Sequence, residues 1–184
     1  MKIVLGFLLL VLLLSCSDKD KQKEIDVNEK VRYGELFRYP YNIKGYFDYD
    51  QALRVAQKEN KPLLVRFVSH VLNRDMERAV WSDPEVLKIL KNDYLVVSLY
   101  VDDKTMLPEE EWITSGFDGR VKKTMGQKNL DFQITRFKVN AQPYFVLLNL
   151  DETLLVQPYA YNIDVAAYVK FLRSGLDSFQ NTRE

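Results

Sequence analysis

Two residue types that much protein chemistry depends on are nearly missing from this chain. Its 184 residues include one cysteine, Cys16, and one histidine, His70. Disulfide exchange needs a thiolate to attack and a second thiol to resolve the mixed disulfide, so one cysteine does not support it. One histidine leaves no Ser-His-Asp pattern legible. It also makes a poor metal site, because three or four ligands are needed and only Asp75 and Glu77 lie nearby in sequence, at spacings that match no ligand pattern. No Gly-rich phosphate loop occurs. An excess of charge is missing too: 26 basic residues balance 26 acidic ones, so no bulk field attracts nucleic acid or anionic lipid. No cofactor and no metal are expected from these absences.

Aromatic residues are plentiful, with 11 tyrosines and 10 phenylalanines. That suits a core of several strands or a binding surface. The length fits one domain with extra segments at its ends.

The chain opens with Lys2, an apolar run over 3–14, then Ser15 and Cys16. A positive start, a short apolar stretch and a small residue before a cut describe a secretory signal. The run is shorter than the about 20 apolar residues a spanning helix needs. The stretch LLSC, ending at Cys16, resembles the lipobox of bacterial lipoproteins. The resemblance implies lipidation of Cys16 after removal of residues 1–15, and anchoring to a membrane. Residues 16–30 are charged and almost free of apolar side chains, which reads as a solvated tether. Asp18 and Asp20 resemble the surface-export signal of some Bacteroidetes-type lipoproteins.

Residues 31–46 are aromatic-rich without clear period and read as an irregular lead-in to a domain over 47–184. A helix capped by Asp48 or Asp50 carries Ala52, Leu53, Val55 and Ala56 on one face and ends near Asn60 and Pro62. Leu63–Val68, LLVRFV, is short and branched, hence a buried strand. A helix follows with Met76, Ala79 and Val80 on one face, then a second with Ser82 or Asp83 as cap and Pro84 in its first turn. Residues 94–103 form the next strand, where Asp102-Asp103 caps the end. Residues 104–125 read as an insertion whose Asp118-Gly119 marks a hairpin turn, with Trp112 and Phe117 exposed. A helix is predicted over 129–139, a buried strand over 143–150, and a paired strand over 151–161. The last helix turns Val165, Tyr168, Val169, Phe171, Leu172 and Leu176 inward.

Strands separated by helices predict an α/β fold with a central mixed β-sheet flanked by helices. This order is that of the thioredoxin-like fold. The stretches NKPLLVRF, MERAVWSDPEVLKILKNDYLVVSLYVDD and VNAQPYFVLLNLDE sharpen it. They resemble the C-terminal thioredoxin-like domain of DsbD, the thiol:disulfide interchange protein, in its Bacteroidetes-type form, over about 47–179. The resemblance implies that Gln142-Pro143 is the cis-proline loop bordering a peptide-binding groove. It also places the two cysteines of the family's C-x-x-C at His70 and Asn73, where this chain has none.

The expectation is therefore a membrane-anchored, redox-inactive thioredoxin-like lipoprotein, a protein-binding module rather than an enzyme. Its expected location is the bacterial cell envelope, lipid-anchored at the outer membrane on its periplasmic or surface face, and its expected partner is an envelope protein or polypeptide. The alternative is a DsbD-like oxidoreductase relative acting through a partner's cysteines. Candidate contact regions are His70 to Asn73 with Pro143, the hairpin, and Tyr39, Tyr41 and Tyr46.

Overall fold

Branched apolar runs make the central strands, and capped amphipathic segments make the helices that cover them. The computed structural model describes residues 33–35, 41–70 and 74–182, with backbone alone for 33–35 and 74–77. Cys16, Tyr39, Asn73, the signal-like segment and the tether lie outside the described residues.

In chain order the elements are β1 (Tyr33–Glu35), β2 (Lys44–Tyr46), α1 (Tyr49–Glu59), β3 (Leu63–Val68), α2 (Arg74–Trp81), α3 (Pro84–Asn92) and β4 (Leu95–Tyr100). Then come β5 (Ile113–Thr114), β6 (Val121–Lys122), α4 (Met125–Phe137), β7 (Tyr144–Leu148) and α5 (Val165–Asn181). The main sheet runs β1-β2-β4-β3-β7, and β5-β6 form a separate hairpin. β3 pairs parallel with β4 and antiparallel with β7, so the sheet is mixed as expected.

Alternation along the strands divides the core in two. Leu64, Val96, Phe145 and Leu147 face α2, α3 and α5, where they meet Trp81, Leu90, Tyr168 and Leu172. Leu63, Val65, Phe67, Val97, Val146 and Leu148 face α1 and α4, against Ala52, Ala56 and Phe132. Two paired residues break the apolar pattern, Ser98 in β4 and Arg66 in β3, and Arg66 is 1% exposed. Its guanidinium carbon lies 4.7 Å from the Trp81 ring centre, a desolvated cation–π contact. Burial pulls its pKa down from 12.5 to about 10, although Tyr100 and Tyr168 push it back up.

The helix starts are chemically legible. Asp48 accepts from the Gln51 N–H at 2.8 Å, and Asn60 ends α1 in the left-handed conformation at φ 57°. Asp83 accepts from the N–H groups of Glu85 and Val86 at 2.9 and 3.2 Å, with Pro84 in the first turn. Gly126 seats the start of α4: a Cβ there would lie 2.6 Å from Asp103 N and 2.7 Å from Val101 O.

Four expectations are corrected. Lys44–Tyr46, placed in the irregular lead-in, is a strand that pairs parallel with β4 through Tyr46 and Val97, and antiparallel with β1. Three residues are too few for a period to show. The helix expected from 129 starts at Met125, because Thr124 and Gln127 form a reciprocal capping box. The strand expected over 151–161 is reduced to bridges at Leu154 and Tyr159, with Pro158, which lacks an N–H, between them. Ala79, placed on the inner face of α2, is exposed, whereas Val80 is buried.

The insertion does contain the expected hairpin. Ile113 pairs with Lys122 and Thr114 with Val121, and Gly119 supplies the positive φ of 69°. Phe117 is exposed, but Trp112 is half-buried. The Trp112 indole N–H donates to the Leu107 carbonyl at 2.9 Å, and the Lys123 ammonium lies 4.2 Å from its ring centre.

Candidate functional site

The strand registers decide which loops meet. Val68 pairs with Tyr100, and Phe67 with Tyr144. The segments just past β3 and β4, and the one just before β7, therefore converge at one end of the sheet. That end carries the carboxyl termini of two parallel strands, where open α/β sheets place their ligand crevices.

His70 stands two residues past β3 and Asp102 two past β4, and their side chains meet. His70 Nδ1 lies 2.9 Å from Asp102 Oδ1. The His70 backbone N–H donates to both Asp102 oxygens, at 3.0 and 2.9 Å, and the Ser69 hydroxyl donates to Oδ2 at 2.6 Å. Burial alone would raise the Asp102 carboxyl. The donors from Ser69 and His70 outweigh it and hold that carboxyl below its ordinary range. The carboxylate at Nδ1 fixes the proton there, and Nε2 makes no hydrogen bond with the described residues. The imidazole stacks on Tyr100, centres 4.0 Å apart and planes 19° apart. Phe47 extends this aromatic cluster, 6.1 Å from Tyr100.

The side chains of Asp75 and Glu77, the acidic residues near His70 in sequence, lie outside the described ones. Sequence reading did not find Asp102, which meets His70 from 32 residues away. The usable signal was the pair of parallel strands ending at Val68 and Tyr100. Asp103 performs the expected strand-end role: its carboxylate accepts from the Thr105 N–H at 2.8 Å, and its carbonyl from the Gly126 N–H at 2.9 Å. Chemically, an Asp-His pair presents an oriented base. The adjacent Ser69 hydroxyl donates to Asp102 rather than to the imidazole. Among the described residues, no three His, Cys, Asp or Glu side chains gather as a metal site.

The third segment brings Gln142 and Pro143, joined by a cis peptide bond. Pro143 is buried and Gln142 half-buried. The Gln142 amide donates to Gln133 Oε1 at 2.8 Å, and the Gln133 amide donates to the Ala141 carbonyl at 2.8 Å. These two glutamines brace the loop against α4. The surface they support is formed by Asn140 and Ala141, both exposed. Of the lead-in tyrosines, Tyr41 and Tyr46 are half-buried and pack against the two halves of the core. Among the described residues, no helix is long and apolar enough to cross a membrane.

Comparison with known proteins gives a consistent answer at the level of fold. A solved thioredoxin from Thermus thermophilus is 24% identical, with a TM-score of 0.51, over 75% of this chain and 91% of that one. DsbH oxidoreductase is 20% identical, with a TM-score of 0.53, over 72% of this chain and 85% of that one. UBX domain-containing protein 2 of Schizosaccharomyces pombe is 29% identical over 97 residues, 49% of this chain. The match spans 22% of that relative's length. No protein-family model matches the chain. The mixed sheet flanked by helices and the two solved structures meet in one conclusion: this chain has the thioredoxin-like fold.

Proposed function

We propose that this chain is a redox-silent, thioredoxin-like binding module, held in the bacterial cell envelope by a lipidated Cys16 and engaging an envelope protein at the end of the sheet that carries His70. The observation that carries this reading is the occupant of the strand-to-helix joint. Residues 69–73 read SHVLN, and the chain's one cysteine stands at position 16. Thiolate exchange at the joint has no thiol to start from. What stands there is a pinned, stacked imidazole beside a braced loop, a preorganised surface of the sort that recognition favours. The name of DsbH oxidoreductase supports the second reading, a DsbD-like relative that serves disulfide interchange through a partner's cysteines.

The experiment is affinity purification of a C-terminally tagged chain from envelopes solubilised in mild detergent, with co-purifying proteins identified by mass spectrometry. The expected outcome is one stoichiometric partner, lost in Tyr100→Ala and His70→Ala and retained when thiols are alkylated. Loss on alkylation alone favours the second reading. Reduction of a small disulfide substrate by the purified chain overturns the first.

A further inference from the structure

A cleft of about 600 Å3 lies on the α1/α4 layer, within the size range of small-molecule sites. The first turn of α1 forms one wall and α4, from Met125 to Arg136, the other. Tyr49 and Phe132 give it an aromatic surface, their ring centres 4.7 Å apart. Tyr49 is fixed by donating its hydroxyl to Glu152 at 2.7 Å, and Arg136 holds the same carboxylate at 2.6 Å. Burial alone would raise Glu152; the donors Tyr49 and Arg136 carry it below the ordinary carboxylate range. The aromatic wall is thus locked by a polar network before any ligand arrives.

The charges are unequal. Asp48, Asp50, Asp131 and Glu152 line the cleft with two cations, Lys128 and Arg136. Arg136 is taken by Glu152, and Asp48 caps α1. That leaves Asp50 and Asp131 against Lys128. Asp131 is the unusual member, because it is 8% exposed. Its Oδ1 accepts the Ser115 hydroxyl, and its Oδ2 has only Thr135 at 3.5 Å, the limit of a hydrogen bond. No cation among the described residues pairs with it. A carboxylate buried without a counter-charge is costly, and a cationic ligand would relieve it. Aromatic faces beside it suit the same ligand.

We infer that this cleft binds a small organic cation, an amine or guanidinium on an apolar body, with its head at Asp131 and Asp50 and its body on Tyr49 and Phe132. The inference does not rest on the envelope reading, since its binding residues are different ones, although the cleft adjoins that site through Asn129, which donates to the Tyr100 carbonyl at 3.0 Å.

The test titrates the full chain with 4-phenylbutylamine, 4-phenylbutanol and 4-phenylbutyrate, which share one body and differ in the head. Calorimetry gives affinity, and amide chemical shifts give location. The amine is expected to bind about tenfold or more tighter than the alcohol, as a charge-assisted contact in a partly dry site requires. Shifts should centre on Asp50, Asn129 and Phe132. Asp131→Asn should weaken the amine several-fold. Because Ser115 ties Asp131 to the hairpin, Asp50→Asn, at an exposed position, is the control for misfolding and should also weaken it. Asp177→Asn, on α5, should leave it unchanged. No binding, equal binding of all three probes, tighter binding of the carboxylate at Lys128, or amine binding indifferent to both cleft variants overturns the inference.

Discussion

Replacing Arg66 by methionine removes a charge from the middle of the sheet and leaves an unbranched apolar side chain of similar reach. Burial draws the Arg66 guanidinium from 12.5 down to about 10. At about 1.4 kcal/mol per pH unit, that gap is about 3 kcal/mol by which folding disfavours the charged form. The Trp81 stack returns about 1–2 kcal/mol of it, and a methionine sulfur keeps part of that contact. The expected net effect of Arg66→Met is a gain of about 1–2 kcal/mol at neutral pH, in line with other buried charges replaced by apolar groups. Urea unfolding followed by circular dichroism should show the midpoint rising by roughly 0.5–1 M. The sign with pH is fixed. The folded value is the lower one, so wild-type stability rises as pH climbs from about 10 towards 12.5, and is lowest below that window. The advantage of the methionine variant should shrink over the same range. A midpoint that falls by a comparable amount at pH 7 refutes the reasoning, because the guanidinium's contacts would then outweigh its desolvation.

Three further outcomes follow from local geometry. Asp102→Asn should lower stability by about 1 kcal/mol, a modest figure because the carboxylate is partly exposed. Since the folded Asp102 value lies below 3.8, its contribution is full above that pH and lost as pH falls through the folded value, so the variant's acid unfolding curve should be flatter there. Gly126→Ala should cost about 2 kcal/mol, read as a lowered Tm, because the new methyl would press on the backbone of Asp103 and Val101. Thr124→Ala should cost about 1 kcal/mol in the same assay by removing the capping box of α4.

Much of the fold was legible because its signals are local. Asp48, Asp83 and Pro84 mark helix starts by their own chemistry, and LLVRFV reads as a buried strand despite its arginine. Asp118-Gly119 gives the hairpin because Gly119 tolerates a positive φ. What escaped was non-local or too short. Lys44–Tyr46 becomes a strand only because β4 offers it an edge. The T-x-x-Q of the α4 capping box straddles the end of the stretch read as insertion. At the site, His70 and the Gln142-Pro143 loop were found from the joint and the resemblance. The His70–Asp102 pair was not, because parallel neighbours bring together residues 32 positions apart. The α1/α4 cleft left no sequence signal, since its charges are scattered over three segments.

The hairpin also gives the protein its own optical reporter. The chain has two tryptophans. Trp81 is 0% exposed under the Arg66 guanidinium, and Trp112 is half-buried beneath Lys123. Indole emission moves to longer wavelength with water contact, so the two rings emit from different surroundings. Trp112→Phe leaves Trp81 to report melting of the core, and Trp81→Phe leaves Trp112 to report the hairpin. Ile113, next to Trp112, lines the cleft. A ligand entering there, or a partner pressing on the hairpin, becomes a change of colour in the unlabelled protein.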